Sequence, residues 1–293
     1  MNITKEEKRI KYSQNFLRSR ELIKKLLNKS SICSNDLVLE IGPGKGIITE
    51  QLARGCIKVI GVEKDRKLCD GLFQKFRENN KVEIKCEDFL KYRLPAEEKY
   101  KIFSNIPFNL TADIIGKITS ADNPPEDAYL IVQEEAAQKF SGSLYGKERQ
   151  YSLLLKPWFE VKIMHHFKRT DFYPVPSVEI VLLRIKKREN QLIDRKQMQH
   201  YRDFIIYGFN QWKPTLKKSL DRIFTYEQLK RLTKNLGFDR SAVPTDLSFQ
   251  QWLGLFNYFL IGVEEYKKRL VSGSEALLKN QQNRIQKIHR TRS

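Results

Sequence analysis

The amino-acid sequence predicts an α/β protein: a doubly wound, mostly parallel sheet with an antiparallel pair at one edge, followed by a small all-helical C-terminal domain. Three observations carry this. Short β-rich runs alternate with helix-length segments between about residues 36 and 132, the pattern of parallel strands joined by crossover helices. Two further apolar-alternating runs, Phe159 to Phe167 and Val178 to Ile185, are joined by a stretch too short for a crossover helix, which makes them antiparallel. From about residue 196 onward only helical spacing remains, as in Tyr226 to Leu236 and Gln250 to Leu270.

Asp36-Leu37-Val38-Leu39-Glu40-Ile41-Gly42 reads as a strand closing in a glycine turn, and Lys58-Val59-Ile60-Gly61-Val62-Glu63 as a second strand. Lys81 to Cys86 is a third, Lys101 to Ser104 a fourth and Ala128 to Val132 a fifth. The result is a Rossmann-like sheet, whose ligands bind beyond the carboxyl ends of the strands. The pattern changes after Lys186-Lys187-Arg188-Glu189, so the expected domains are residues 1–190, carrying the sheet, and 191–271, all helical. The polar, basic end, 272–293, is expected to be a mobile tail.

A chain of 293 residues, 40% hydrophobic, can bury a core for such a domain and a smaller companion. Its 54 basic and 35 acidic residues leave a formal charge of +19, which points to a polyanionic partner and favours a nucleic acid. No stretch has the apolar length of a membrane span, and the start, Met1 to Lys8, lacks an apolar signal core, so a cytoplasmic location is expected. Cys33, Cys56, Cys69 and Cys86 have no C-x-x-C spacing, and His165, His166, His200 and His289 add no ligand pattern. Free, mostly buried thiols and no metal are the expectation.

Gly42-Pro43-Gly44-Lys45-Gly46 lies between a strand and a helix, where glycine lets the backbone turn sharply and approach a ligand. The glycines fall at relative positions 0, 2 and 4, unlike the dinucleotide fingerprint, so a pyrophosphate cradle is poorly supported. Glu63 closes the second strand, where a carboxylate can accept from both hydroxyls of a ribose, and Asp88 closes the third, where it can accept from an adenine amino group. Together these describe an adenosine without phosphates. S-adenosylmethionine matches, because its sulfonium and amino-acid end need no phosphate site. Singly, either acid reads equally well as an exposed strand end.

Asn105-Ile106-Pro107-Phe108 follows the fourth strand, at the ligand-binding edge. An adenine amine is a weak nucleophile that gains positive charge as it attacks a methyl group. The Asn105 side-chain oxygen and the Ile106 carbonyl can accept its two N–H bonds and favour that charge. Pro107 fixes φ and removes a competing donor, while Phe108 offers a ring face to an extruded base. Out of context, the same four residues read as an ordinary turn.

Context supplies a resemblance. Gln14-Asn15-Phe16-Leu17, Glu40-Ile41-Gly42-Pro43-Gly44-Lys45-Gly46, Glu63, Glu87-Asp88 and Asn105-Ile106-Pro107-Phe108 resemble, in order and spacing, the rRNA adenine N6-dimethyltransferase family over most of residues 10–190. The resemblance implies an S-adenosylmethionine-dependent methyltransferase domain at 1–190 and an RNA-binding role for 191–271. It also implies that Asn15, Leu17, Gly42, Gly44, Glu63, Asp88 and Asn105 contact the cofactor, and that Phe108 and Phe172 sandwich the target base. Without it, Gln14 to Leu17 would read as a helix start.

Within the family the sequence looks more like the erythromycin-resistance (Erm-type) branch than the housekeeping enzymes of the small subunit. Phe108 stands where the latter usually carry Tyr, and Leu155 to Phe159 and Arg169 to Val178 are also closer to the former. Glu179 stands where many relatives have Asp. The branch implies methylation of one adenine in 23S rRNA, on a protein-free or immature particle, by a monomer, with resistance to macrolide, lincosamide and streptogramin B drugs. Lys168 and Arg169, with Lys213, Lys217 and Lys218 of the helical region, are candidate phosphate contacts. The alternatives are a small-subunit rRNA dimethyltransferase and a catalytically silent nucleic-acid-binding relative such as a transcription accessory factor. The intact Asn105 to Phe108 segment argues against the silent relative.

Overall fold

The structure, a computed structural model, describes residues 16–142, 148–211 and 215–290. Its residues group into two compact units. The first holds the described residues up to Gln138 together with Phe159–Arg188; the second holds Lys139–Trp158 and the residues from Glu189 onward.

The first unit opens with a two-residue strand β1 (Phe16–Leu17) and helix α1 (Arg20–Asn28), whose start is capped by the Ser19 hydroxyl accepting from the Leu22 amide. There follow β2 (Leu37–Ile41), α2 (Ile47–Gly55), β3 (Lys58–Glu63), α3 (Arg66–Lys75), β4 (Val82–Cys86), β5 (Tyr100–Asn105), α4 (Thr111–Thr119) and β6 (Asp127–Gln133). Helix α5 (Glu134–Ser141) runs across the boundary between the units, and β7 (Phe159–His166), β8 (Phe172–Tyr173) and β9 (Ile180–Lys187) complete the first.

Seven strands form one sheet in the order β4-β3-β2-β5-β6-β9-β7. The first five are parallel, and β9 runs antiparallel to both β6 and β7. The five strands read from the sequence are therefore the parallel ones, and the two later runs form the antiparallel edge. Strands β2, β3 and β6 are mostly apolar and buried on both faces; in β6, Ala128, Leu130, Ile131 and Val132 are wholly buried. Strand β7 alternates instead, with Glu160 and Lys162 exposed, as suits an edge that must not recruit another strand. No sequence pattern marks β1 and β8, which pair antiparallel through Phe16 with Tyr173 and Leu17 with Phe172. Two residues are too few for a period to register.

One expectation about cysteine is corrected. Cys69 on α3 and Cys86 at the end of β4 form a disulfide, with Cα atoms 5.9 Å apart. Seventeen residues separate them, so they come together only through the packing of α3 against β4. Cys33 and Cys56 are free thiols, the first exposed and the second buried.

The second unit is helical: α6 (Gln150–Leu155), α7 (Met198–Phe209), α8 (Leu216–Ser219), α9 (Tyr226–Leu236), α10 (Phe249–Gly262), α11 (Glu265–Lys268) and α12 (Ser274–Arg290). Thr225 and Ser248 open α9 and α10 with capping boxes to Gln228 and Gln251. Tyr201, Phe204, Trp252, Phe256 and Phe259 form an aromatic core, with Phe204 and Phe259 ring centroids 4.9 Å apart. The unit also takes in 139–158, inside the 1–190 stretch that the sequence pattern places with the sheet, because α6 packs on α7.

Residues 274–290, expected as a mobile tail, form α12. Its start is fixed to α7: the Asp203 carboxylate accepts from the amides of Gly273 and Glu275, at 3.0 and 2.8 Å. Arg202 donates from Nε and Nη2 to the two oxygens of Glu275, at 2.9 and 2.7 Å. A polar sequence hides such an anchor because its partners lie 70 or more residues away.

Candidate active site

The site is assembled at the carboxyl edge of the sheet, within the first unit. Strands β2 and β5 pair only from Leu37–Leu39 against Tyr100–Ile102. Beyond that, the Ile41 amide donates to the Ser104 hydroxyl at 2.6 Å. The strands part there, and a cavity of about 560 Å³ opens beside them.

The loop after β2 forms one wall. Gly42, Gly44 and Gly46 all have positive φ, at 66°, 58° and 72°. At Gly44 a side chain would also collide with the Phe16 ring, 2.8 Å from its first carbon, and at Gly46 with Leu72 and Phe76. The loop is thus pinned between β1 and α3.

Four carboxylates, Glu40, Glu63, Asp65 and Asp88, line this cavity against one lysine, Lys64. Glu63 is buried at the end of β3; one of its oxygens accepts from the Gly44 amide at 3.0 Å and the other from Lys64 and Asp65 amides at 2.8 and 3.0 Å. Asp88 accepts from the Leu90 amide at 3.0 Å and pairs with Lys64 at 2.9 Å. The Lys64 hydrogen bond, reinforced by the Leu90 amide, holds its carboxyl below the usual range against the opposing effect of burial.

Glu40 was missed by the sequence reading. It is buried, takes a 2.6 Å hydrogen bond from the Thr49 hydroxyl and has its pKa pushed up to about 8, chiefly by burial, with the Glu63 charge adding to the rise. The available signal was an acid inside the apolar run Leu37-Val38-Leu39-Glu40-Ile41. The apolar lining includes Phe16, Leu17, Phe89, Leu90 and Ile106.

Asn105, Ile106, Pro107 and Phe108 line the same cavity. Asn105 is the last residue of β5, and Ile106 anchors the segment by burying its side chain. Pro107 has φ −60° and starts a single 3-10 turn, Phe108–Leu110, closed by the Leu110 amide donating to the Pro107 carbonyl at 3.0 Å. The Thr111 hydroxyl donates to the Phe108 carbonyl at 2.9 Å, which fixes the backbone under a half-buried Phe108 ring.

Of the other expected residues, Leu17, Gly42, Glu63 and Asp88 lie on the cavity, with Gly44 in its loop. Asn15 and Lys213 lie outside the described residues. Phe172 has its side chain fully buried in the core beside Leu17 and Phe167, the latter edge-on at 5.3 Å. Lys168 is exposed; Arg169 is exposed too but donates twice to Glu179, at 2.9 and 2.6 Å, so that acid offsets its charge. Lys217 and Lys218 are exposed on α8. Among the described residues no group of three or more His, Cys, Asp or Glu is placed to hold a metal ion, and no helix is long and apolar enough to cross a membrane.

Comparison with known proteins agrees with this geometry. The family model described as ribosomal RNA adenine dimethylase matches residues 5–260. The chain is 32% identical over 253 residues to an rRNA adenine N-6-methyltransferase of Limosilactobacillus reuteri, covering 86% of this chain and 97% of that protein. It is 28% identical to the ribosomal RNA small subunit methyltransferase A of Mycoplasmopsis pulmonis, over 84% and 96% of the two chains. The crystal structure of 23S rRNA methyltransferase ErmE superposes with a TM-score of 0.77 at 27% identity, over 84% of this chain and 99% of that one. The breadth of these matches settles the lineage: the chain belongs to the ribosomal RNA adenine dimethylase family of methyltransferases.

Proposed function

We propose that the chain transfers methyl from S-adenosylmethionine to N6 of a specific adenine in 23S rRNA, and so gives resistance to macrolide, lincosamide and streptogramin B antibiotics. The observation that carries the reading is the position of Asn105 to Phe108 on a cavity lined by four acidic side chains, of which Glu40 is largely protonated below about pH 8, and one already paired lysine. Such a lining repels phosphate and suits a cation.

The residues fit S-adenosylmethionine. In this reading Glu63 accepts from the ribose hydroxyls and Asp88 from the adenine amino group, while Phe89, Leu90 and Ile106, which line the same cavity, form apolar walls. The open backbone at Gly42, where a side-chain carbon would meet nothing within 4 Å, leaves room beside the loop. When bound, the cofactor supplies an electrophilic methyl group. Asn105 accepts from the adenine amine and steers its lone pair, while Phe108 holds the base by stacking and favours the positive charge that develops on the nitrogen. No base has to remove a proton before transfer.

The 23S target is supported by the likeness to ErmE and by Phe108 and the 155–159 and 169–178 segments. Relationship to the Mycoplasmopsis small-subunit enzyme supports a second reading, dimethylation during small-subunit maturation. The test is transfer of labelled methyl to purified 23S rRNA and to small-subunit particles, followed by mass mapping of the modified nucleotide. Label at one adenine of 23S rRNA is expected; label only in small-subunit particles would establish the second reading.

A further inference from the structure

The pairing of β1 with β8 sets two aromatic side chains side by side. Phe16 and Tyr173 are direct partners across this antiparallel pair, so their rings leave the same face, while Leu17 and Phe172 turn into the core from the other. Phe16 lines the cavity. Tyr173 stands next to it and is 67% exposed, a large aromatic surface left in water at the edge of the site.

Each ring carries a cation. Lys45 Nζ lies 5.9 Å from the centre of the Phe16 ring, and the Arg18 guanidinium carbon lies 5.8 Å from that of Tyr173. Both cations are exposed, and among the described residues neither makes an ion pair with a carboxylate. The strip thus has the opposite charge to the cavity it borders, where carboxylates dominate.

We propose that Tyr173 and Arg18 form a second nucleotide subsite, which stacks an unpaired base adjoining the target adenine and holds its phosphate. The assignment rests on the RNA-methyltransferase reading above. An exposed ring offers a face to any base, Arg18 and Lys45 offer charge to the backbone, and the cross-strand pairing with Phe16 places the subsite one residue from the cavity wall.

The test measures binding of a fluorescent single-stranded RNA oligonucleotide by the full chain, without methyl transfer, alongside S-adenosylmethionine binding by calorimetry. Tyr173→Ala is expected to weaken RNA binding by about tenfold, the scale of one lost base stack, and to leave cofactor affinity and thermal midpoint unchanged. Tyr173→Trp restores binding. Arg18→Gln is expected to reduce the slope of log affinity against log salt by about 0.7, the amount for one phosphate on a single strand. Wild-type RNA affinity in Tyr173→Ala, or an equal loss in Tyr173→Trp, would overturn the proposal. Because the measurement needs no catalysis, absence of methyl transfer in the wild-type protein would sink the functional reading and leave this one to be judged on binding.

Discussion

The Ile41 amide donates to the Ser104 hydroxyl at 2.6 Å, at the point where β2 and β5 cease to pair. A side chain there does what the next backbone carbonyl would do in an unbroken sheet, so the strands separate without leaving a buried donor unmatched. Ser104 has no exposed surface and is followed directly by Asn105. Ser104→Ala removes the acceptor, and a buried amide without a partner costs about 1–3 kcal/mol. A thermal midpoint several degrees lower is expected, with reduced cofactor affinity. A midpoint equal to wild type would show that the bond does not hold the edge open.

Asn105→Ala is expected to lower methyl transfer on the order of a hundredfold to a thousandfold, the scale of losing one preorganised polar contact to developing charge. Folding should be unaffected, because Ile106, Pro107 and Thr111 keep the backbone in place. Single-turnover rates and circular dichroism check both points; wild-type turnover would remove Asn105 from the mechanism. Phe108→Ala should instead raise KM for RNA by about tenfold, and an unchanged KM would count against stacking.

Much of this arrangement was legible in the sequence because it depends on local pattern. The five parallel strands are apolar runs long enough to count, and the glycine loop, Glu63, Asp88 and Asn105 follow strand ends, where a parallel sheet binds ligands. What escaped notice depends on contacts between distant residues. Phe172 and Tyr173 are adjacent aromatics in one turn, and only their pairing with Leu17 and Phe16 shows that the first is core and the second is surface. Cys69 with Cys86, and Arg202 with Glu275, likewise meet through tertiary packing. The apolar run around Glu40 hints at burial, but its partner Thr49 reaches it only once α2 packs over the strand.

Glu40 makes stability depend on pH. Its folded pKa of about 8 exceeds the unfolded value near 4.5, so the native state binds more protons between those values. The stability of the neutral carboxyl is complete below about pH 4.5 and is lost as pH rises toward 8. Glu40→Gln retains a neutral acceptor for Thr49 and should flatten this slope. Urea midpoints from pH 5 to 9 are expected to favour the variant progressively up to pH 8 and by a constant margin above it. Parallel curves for the two proteins would mean that Glu40 does not titrate in this window.

Glu275 has the opposite sign. Hydrogen bonds from Arg202 lower its pKa to about 2, against the resistance of burial, with Lys279 and Gln199 adding to the effect. Its contribution is therefore present above the unfolded value near 4.5 and is lost as pH falls through about 2. Glu275→Gln breaks a two-pronged charged contact that fastens α12 to α7, and should cost on the order of 2 kcal/mol at pH 7, the range for hydrogen bonds to charged groups. The difference from wild type should narrow between pH 4.5 and 2, as the native carboxylate itself becomes protonated. Limited proteolysis at pH 7 should cut the variant sooner within 274–290, because the remaining tie through Asp203 fixes only the first turn of the helix. Equal cleavage rates, with a stability difference that ignores pH, would show that the ion pair is not what anchors α12.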